Sequence, residues 1–144
     1  MRLVCISDTH GYHPRVNVPE GDLLIHSGDF TRLDSYEELA EFDEWLEGQP
    51  HPFKVVVAGN HDWCFQKKPE WSRKMLRSSI YLQDSEHTIG GLKFYGSPWQ
   101  PEFCNWAFNL PRDGKEIQEK WNSIPKGSRA AKANLTIPNQ CFPV

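Results

Sequence analysis

The chain has 144 residues, with 16 Lys+Arg against 19 Asp+Glu and a net charge of −3. That is the length of one domain, no apolar run approaches the roughly 18–20 residues of a membrane span, and so mild a charge does not advertise a nucleic-acid or membrane partner. Six Trp and eight Phe supply large apolar area to a chain that is 38% hydrophobic, which excludes a coiled coil, a disordered tail protein and a disulfide miniprotein.

Met1 to His10 carries one basic residue and only a short apolar stretch. It has no long hydrophobic region of a secretory signal, so the expected location is intracellular and cytoplasmic. Arg2 to Ser7, partly β-branched and ending at Asp8, reads as a buried strand. Asp22 to His26, introduced by the turn-like Pro19-Glu20-Gly21, reads as a second strand, and Phe53 to Ala58 as a third. Continuous apolar runs of this kind belong to strands covered on both faces, as in α/β folds. Between the second and third lies a helix. Ser35 and Glu38 form a capping box, Leu39, Phe42 and Leu46 recur on one face, and Gly48 and Pro50 stop it. Its other face, Asp34, Glu37, Glu38, Glu41, Asp43, Glu44 and Glu47, reads as solvated charge.

After His61 the pattern shifts. Pro69 to Arg77 reads as a short basic helix, and Ile80–Leu82, Glu86–Ile89 and Leu92–Tyr95 as short strands, the last two joined at Gly90-Gly91. Ser97 to Pro111 is a loop dense in Trp, Pro and Phe, and Asp113 to Asn122 a second amphipathic helix. Residues 126–144 hold Lys126, Arg129 and Lys132 and no acid, so this stretch is +3 and residues 1–125 are −6. With no periodicity, 126–144 reads as a poorly ordered basic tail. Cys5, Cys64, Cys104 and Cys141 lie too far apart for a paired-cysteine zinc site and are expected as free thiols.

Three strand ends carry the chemistry. The first delivers Asp8-Thr9-His10, the second Gly28-Asp29, the third Gly59-Asn60-His61-Asp62. Ligands of open α/β sheets bind outside the carboxyl ends of the strands, so Asp8, His10, Asp29, Asn60 and His61 are expected on one rim. Carboxylate and amide oxygens with an imidazole nitrogen suit Mn, Fe, Zn or Mg. The glycines before Asp29 and Asn60 permit tight turns and close backbone approach. One Asp-x-His or one Gly-Asp is a weak signal; three spaced motifs, each closing a strand, form a compound one. His26, inside a strand, reads as a packed core residue, and His13, His51 and His87 as surface or structural.

These motifs resemble those of the calcineurin-like metallophosphoesterases. Ile25-His-Ser-Gly-Asp-Phe-Thr31, Tyr95-Gly-Ser-Pro-Trp-Gln-Pro101 and Trp106-Ala-Phe-Asn109 are similar more narrowly to the metallophosphoesterase-domain-containing proteins, a phosphodiesterase-like branch. The resemblance covers residues 1–125. It implies two packed sheets flanked by helices and a centre of two divalent ions, manganese among the candidates. Asp8 and His10 would bind the first ion, Asp29 would bridge both, and Asn60 would bind the second. A water activated by the two ions would hydrolyse the P–O bond of a phosphodiester small molecule or nucleotide. His61 would stabilise charge or protonate the leaving oxygen, and Asp62 would orient His61. Trp99, Phe103, Trp106 and Phe108 would shape a substrate pocket or, equally, make a core or subunit contact. Phe30-Thr31-Arg32 after Gly28-Asp29 departs from the G-D-x-x-D-R of phosphoprotein phosphatases and points to the phosphodiesterase side.

The resemblance also implies two further histidine motifs, a V-T-H-x-P-P and a G-H-x-H, yet the last histidine is His87. The chain therefore reads as a shortened form, residues 1–125 a partial metallophosphoesterase domain, with its C-terminal half replaced by the tail. Asp29 and Asn60 alone would hold the second ion weakly, and open sheet edges would invite self-association. The alternative to an active hydrolase is a catalytically impaired relative serving as a binding or regulatory module, or a non-productive isoform.

Overall fold

The computed structural model describes residues 1–32 and 35–125, together with the backbone of 129–130. Most of the expected tail thus lies outside the described residues. The elements run β1 (Leu3–Ile6), a 3-10 turn at His13–Arg15, β2 (Leu23–His26), α1 (Tyr36–Glu47), β3 (Phe53–Val56), α2 (Trp63–Lys67), α3 (Pro69–Met75), β4 (Ile80–Tyr81), β5 (Ser85–Ile89), β6 (Leu92–Gly96), β7 (Gln100–Pro101), β8 (Asn109–Leu110), α4 (Lys115–Asn122) and β9 (Arg129–Ala130).

Strands β1-β2-β3-β4 form one parallel sheet in that order. A second sheet pairs β5 with β6 antiparallel and β6 with β9 parallel. This is a mixed α/β architecture of two sheets with helices, as expected.

The continuous apolar runs conceal two faces. Leu24, Val56 and Ala58 join Val4 in a core with Leu39, Phe42 and Leu46 of α1 and Phe65 of α2. Their alternates Leu23, Ile25, Val55 and Val57 pack with Leu82, Ile89 and Phe94, toward the second sheet. Successive strand side chains point to opposite faces, so β2 and β3 separate a helical layer from a sheet layer. Both layers draw apolar residues from these strands, Leu23, Leu24, Ile25, Val55 and Val56 among them.

Helix α1 begins at the expected N-cap, Ser35 Oγ accepting from the Glu38 amide at 3.2 Å, while Glu38 Oε2 accepts from the Arg32 amide at 3.1 Å. Its acidic face is not wholly solvated. Asp43 accepts from the amides of Arg77 and Ser78, both at 2.9 Å, and from the Ser78 hydroxyl at 3.3 Å. One carboxylate therefore ties α1 to the segment entering β4. Asp43→Ala is expected to lower stability by about 1–2 kcal/mol, read as a reduced urea midpoint with unchanged slope; an unchanged midpoint would remove this tie from the account.

Two sequence expectations change. The loop over 97–111 contains a two-residue parallel pairing, Gln100 with Asn109 and Pro101 with Leu110. Cys5 and Cys64 are free thiols, but Cys104 is disulfide-bonded, so the free-thiol expectation fails there. Among the described residues no helix is long and apolar enough to cross a membrane.

Candidate metal centre

Strands β1, β2 and β3 end side by side because they pair in register, Ile6 opposite His26 and His26 opposite Val56. The loops leaving them continue that pairing. The Asp8 amide donates to the Gly28 carbonyl at 3.0 Å, the His10 amide to the Asp29 carbonyl at 2.9 Å and the Gly11 amide to the Phe30 carbonyl at 2.9 Å. Asp8, His10 and Asp29 all adopt left-handed backbone, with φ of 55°, 42° and 56°. Such conformations cost a non-glycine residue about 1–3 kcal/mol each and persist where the surroundings over-determine them. Here the ladder of backbone bonds supplies that constraint.

Side-chain donor atoms of Asp8, His10 and Asp29 lie within 4.8 Å of one another, from an exposed, a half-buried and a buried residue. Among the described residues this is the one group of three such side chains placed to hold an ion. Asn60, buried, and His61, half-buried, follow Gly59 on the third loop. The His61 amide donates to Asp29 Oδ1 at 2.8 Å, and the His61 ring stands edge-on to that of His10, centroids 4.7 Å apart. All five residues expected on the rim thus lie on three adjacent loops.

Asp62 occupies a different place from the one the resemblance implies. It is fully buried. Its Oδ2 accepts from the amides of Asp29 (2.9 Å) and Gly59 (2.7 Å), and its Oδ1 from the amide (2.9 Å) and hydroxyl (2.8 Å) of Thr31. The geometry brings this carboxylate to the ligand-bearing loops and not to the His61 ring. Burial, then the Asp29 charge, pushes its pKa up to about 7, while the bonds from Gly59 and Thr31 pull it down. Three of the four donors are amides that cannot accept, so the ionised form fits the donor set. Thr31 was invisible as a site residue in the sequence; its only signal is that it follows Gly-Asp-Phe.

Burial raises the Asp29 pKa, with the His61 amide, His61 and His10 opposing. Burial lowers that of His61, partly offset by Asp29 and Asp8. A desolvated carboxylate beside a second acid is the setting in which a cation restores the charged form. The donor set therefore fits a divalent metal on its own chemistry: two carboxylates and an imidazole within 4.8 Å of one another, with buried Asn60 on the adjoining loop.

Glycines let the loops meet. A Cβ on Gly28, itself at φ 111°, would lie 2.7 Å from the Gly59 Cα, and a Cβ on Gly59 would overlap the Asp29 carboxylate. Phe30, next to Asp29, is fully buried and stacks on Phe42 of α1 at 4.3 Å, locking the second loop into the core. His26 is buried, as expected, and does more than pack. Its Nδ1 accepts from the Gly28 amide at 3.3 Å, which leaves the proton on Nε2, 3.0 Å from the Thr9 hydroxyl. One ring thereby links the first and second loops. His13 and His51 are buried structural residues and His87 is exposed.

The aromatic loop divides. Phe108 is fully buried against Trp99, and Trp99 Nε1 donates to Asp84 at 2.7 Å. Trp106 instead lies 5.1 Å from the His61 ring, with Phe103 against it at 5.4 Å.

The calcineurin-like phosphoesterase family profile matches residues 1–133. The chain is 44% identical over 149 aligned residues to the human and mouse proteins called metallophosphoesterase domain-containing protein 1, covering 88% of this chain and 45% of each of those proteins. It is 37% identical over 142 residues to a UPF0046 protein of Caenorhabditis elegans, covering 87% of this chain and 50% of that protein. The chain spans about half the length of these curated relatives.

Proposed function

The chain belongs to the calcineurin-like phosphoesterase family, and from that premise we propose that it is a metal-dependent phosphodiesterase acting on a phosphodiester small molecule or nucleotide. The observation that supports this reading is the convergence of Asp8, His10 and Asp29 within 4.8 Å on strained, mutually bonded loops. In this reading Asp8 and His10 hold one divalent ion, Asp29 is shared, and Asn60 contributes to a second, weaker site. When bound, such ions supply positive charge that offsets the phosphate and lowers the pKa of water. The remaining work falls to the chain's own groups. His61, its pKa lowered by burial, is neutral at pH 7 and donates a ring N–H to a phosphate or leaving-group oxygen. Asp62 is a positioning residue, holding the Asp29, Thr31 and Gly59 amides in one arrangement. Phe30-Thr31-Arg32 after Asp29, in place of the G-D-x-x-D-R of phosphoprotein phosphatases, supports the diester side of this reading. Self-association along β1 and β4, the outer strands of the parallel sheet among the described residues, belongs to the same proposal.

The test is hydrolysis of bis(p-nitrophenyl) phosphate. Manganese is expected to stimulate it, and Asp29→Ala and His61→Ala to abolish it. Equal rates in wild type and both variants would reject the reading.

A further inference from the structure

We propose that Trp106 and Phe103 form a subsite for a planar aromatic group carried by the phosphoester, an aryl ester or a nucleobase; this rests on the phosphoesterase reading above. A continuous run of ring contacts leads outward from the ligand triad. His10 meets His61 at 4.7 Å, His61 meets Trp106 at 5.1 Å, and Trp106 meets Phe103 at 5.4 Å. A ring joined to a phosphate at the triad through a single ester oxygen would extend past His61 toward Trp106, the next ring in this run.

Both aromatic residues are half-buried, with surface left to offer. Of the other two aromatic residues in the loop, Phe108 is fully buried and half-buried Trp99 is engaged edge-on with Phe108 and through its Nε1 with Asp84. The wall is also rigid. The Ala107 amide donates to the Asn60 carbonyl at 2.9 Å, which ties Trp106 to the loop bearing Asn60 and His61. The Phe108 amide donates to Gln66 Oε1 at 2.7 Å. Asn109 Nδ2 donates to the carbonyls of Phe103 (3.2 Å) and Cys104 (2.9 Å) and closes the turn between the two rings. A preorganised aromatic face loses little freedom when a ligand ring stacks on it. Stacking of this kind favours planar rings over alkyl groups whatever their substituents.

The experiment is calorimetric titration of the Mn2+-loaded chain with phenyl phosphate and with methyl phosphate. Wild type is expected to bind phenyl phosphate tighter by roughly three- to tenfold. Trp106→Leu, which fills the space without a π face, is expected to bring that ratio toward parity, and Trp106→Phe to keep most of it. Methyl phosphate binding with no phenyl preference in wild type, or an undiminished preference in Trp106→Leu, overturns the subsite and leaves the phosphoesterase reading standing. A wild-type protein that binds neither phosphate overturns both.

Discussion

Gly59→Ala is expected to reduce divalent-metal affinity by roughly 10–100-fold, although residue 59 ligates nothing. Its new methyl would stand where the Asp29 carboxylate and amide already are. Neither group has somewhere to retreat. The Asp29 amide is bound to Asp62 Oδ2, and its carboxylate receives the His61 amide. The third loop is itself held, by the Gly59 amide on Asp62 Oδ2, the His61 amide on Asp29 Oδ1 and the Ala107 amide on the Asn60 carbonyl, so it cannot draw back from the second without breaking those bonds. Overpacking against backbone typically costs about 1–3 kcal/mol. Here the loops relieve it by giving up the geometry that brings Asp29 to Asp8 and His10. Titration of Mn2+ into wild type and variant, with near-ultraviolet dichroism as the check on folding, reads the effect. Equal affinities in two folded proteins would mean that the loops accommodate a methyl and that Asp29 is less constrained than its bonds suggest.

The second large effect is acid lability centred on His26. Burial foremost, then the neighbouring His13 and His10, lowers its pKa to about 3. In the unfolded chain it titrates near its ordinary 6.5, so below that pH the unfolded state binds a proton that the native state refuses. Its contribution to stability is therefore fully present above pH 6.5 and is lost as pH falls toward 3. The loss runs at about 1.4 kcal/mol per pH unit and reaches roughly 5 kcal/mol when complete. The hydrogen bonds agree with this sign. Nδ1 accepts from the Gly28 amide, and a proton added there would meet an N–H head-on. Urea midpoints between pH 7.5 and 4.5 for wild type and His26→Gln should converge as pH falls, because glutamine has nothing to titrate. Curves that stay parallel would show that His26 does not drive the loss.

Much of this is legible in the sequence, for reasons particular to certain residues. The three strands of the parallel sheet announce themselves as apolar runs ending in polar motifs. Helix α1 carries its start in Ser35 and Glu38 and its core face in Leu39, Phe42 and Leu46. What stayed hidden is non-local. Nothing near Asp43 marks it as the acceptor for amides 34 and 35 residues away, and nothing near Thr31 pairs it with Asp62, 31 positions on. Helix α2 has only five residues, too few for a period to appear. The two faces of β2 and β3 are indistinguishable in sequence, because both need hydrophobes. The aromatic loop shows its composition but not its division, which depends on Asn109 folding back within the loop and on Gln66 reaching in from α2. At the rim, residue types and spacing could be read in advance. The left-handed backbone at Asp8, His10 and Asp29 could not, since no glycine announces it.

Strand β1 pairs with β2 and, among the described strands, with no other. Yet its loop carries Asp8 and His10, while Asp29 leaves the interior strand beside it. An ion gripped by all three would fasten an outer strand to an inner one from outside the hydrogen-bond ladder. Occupancy then contributes to cohesion as well as chemistry, and the concentration of free metal would set how firmly the sheet's margin is closed.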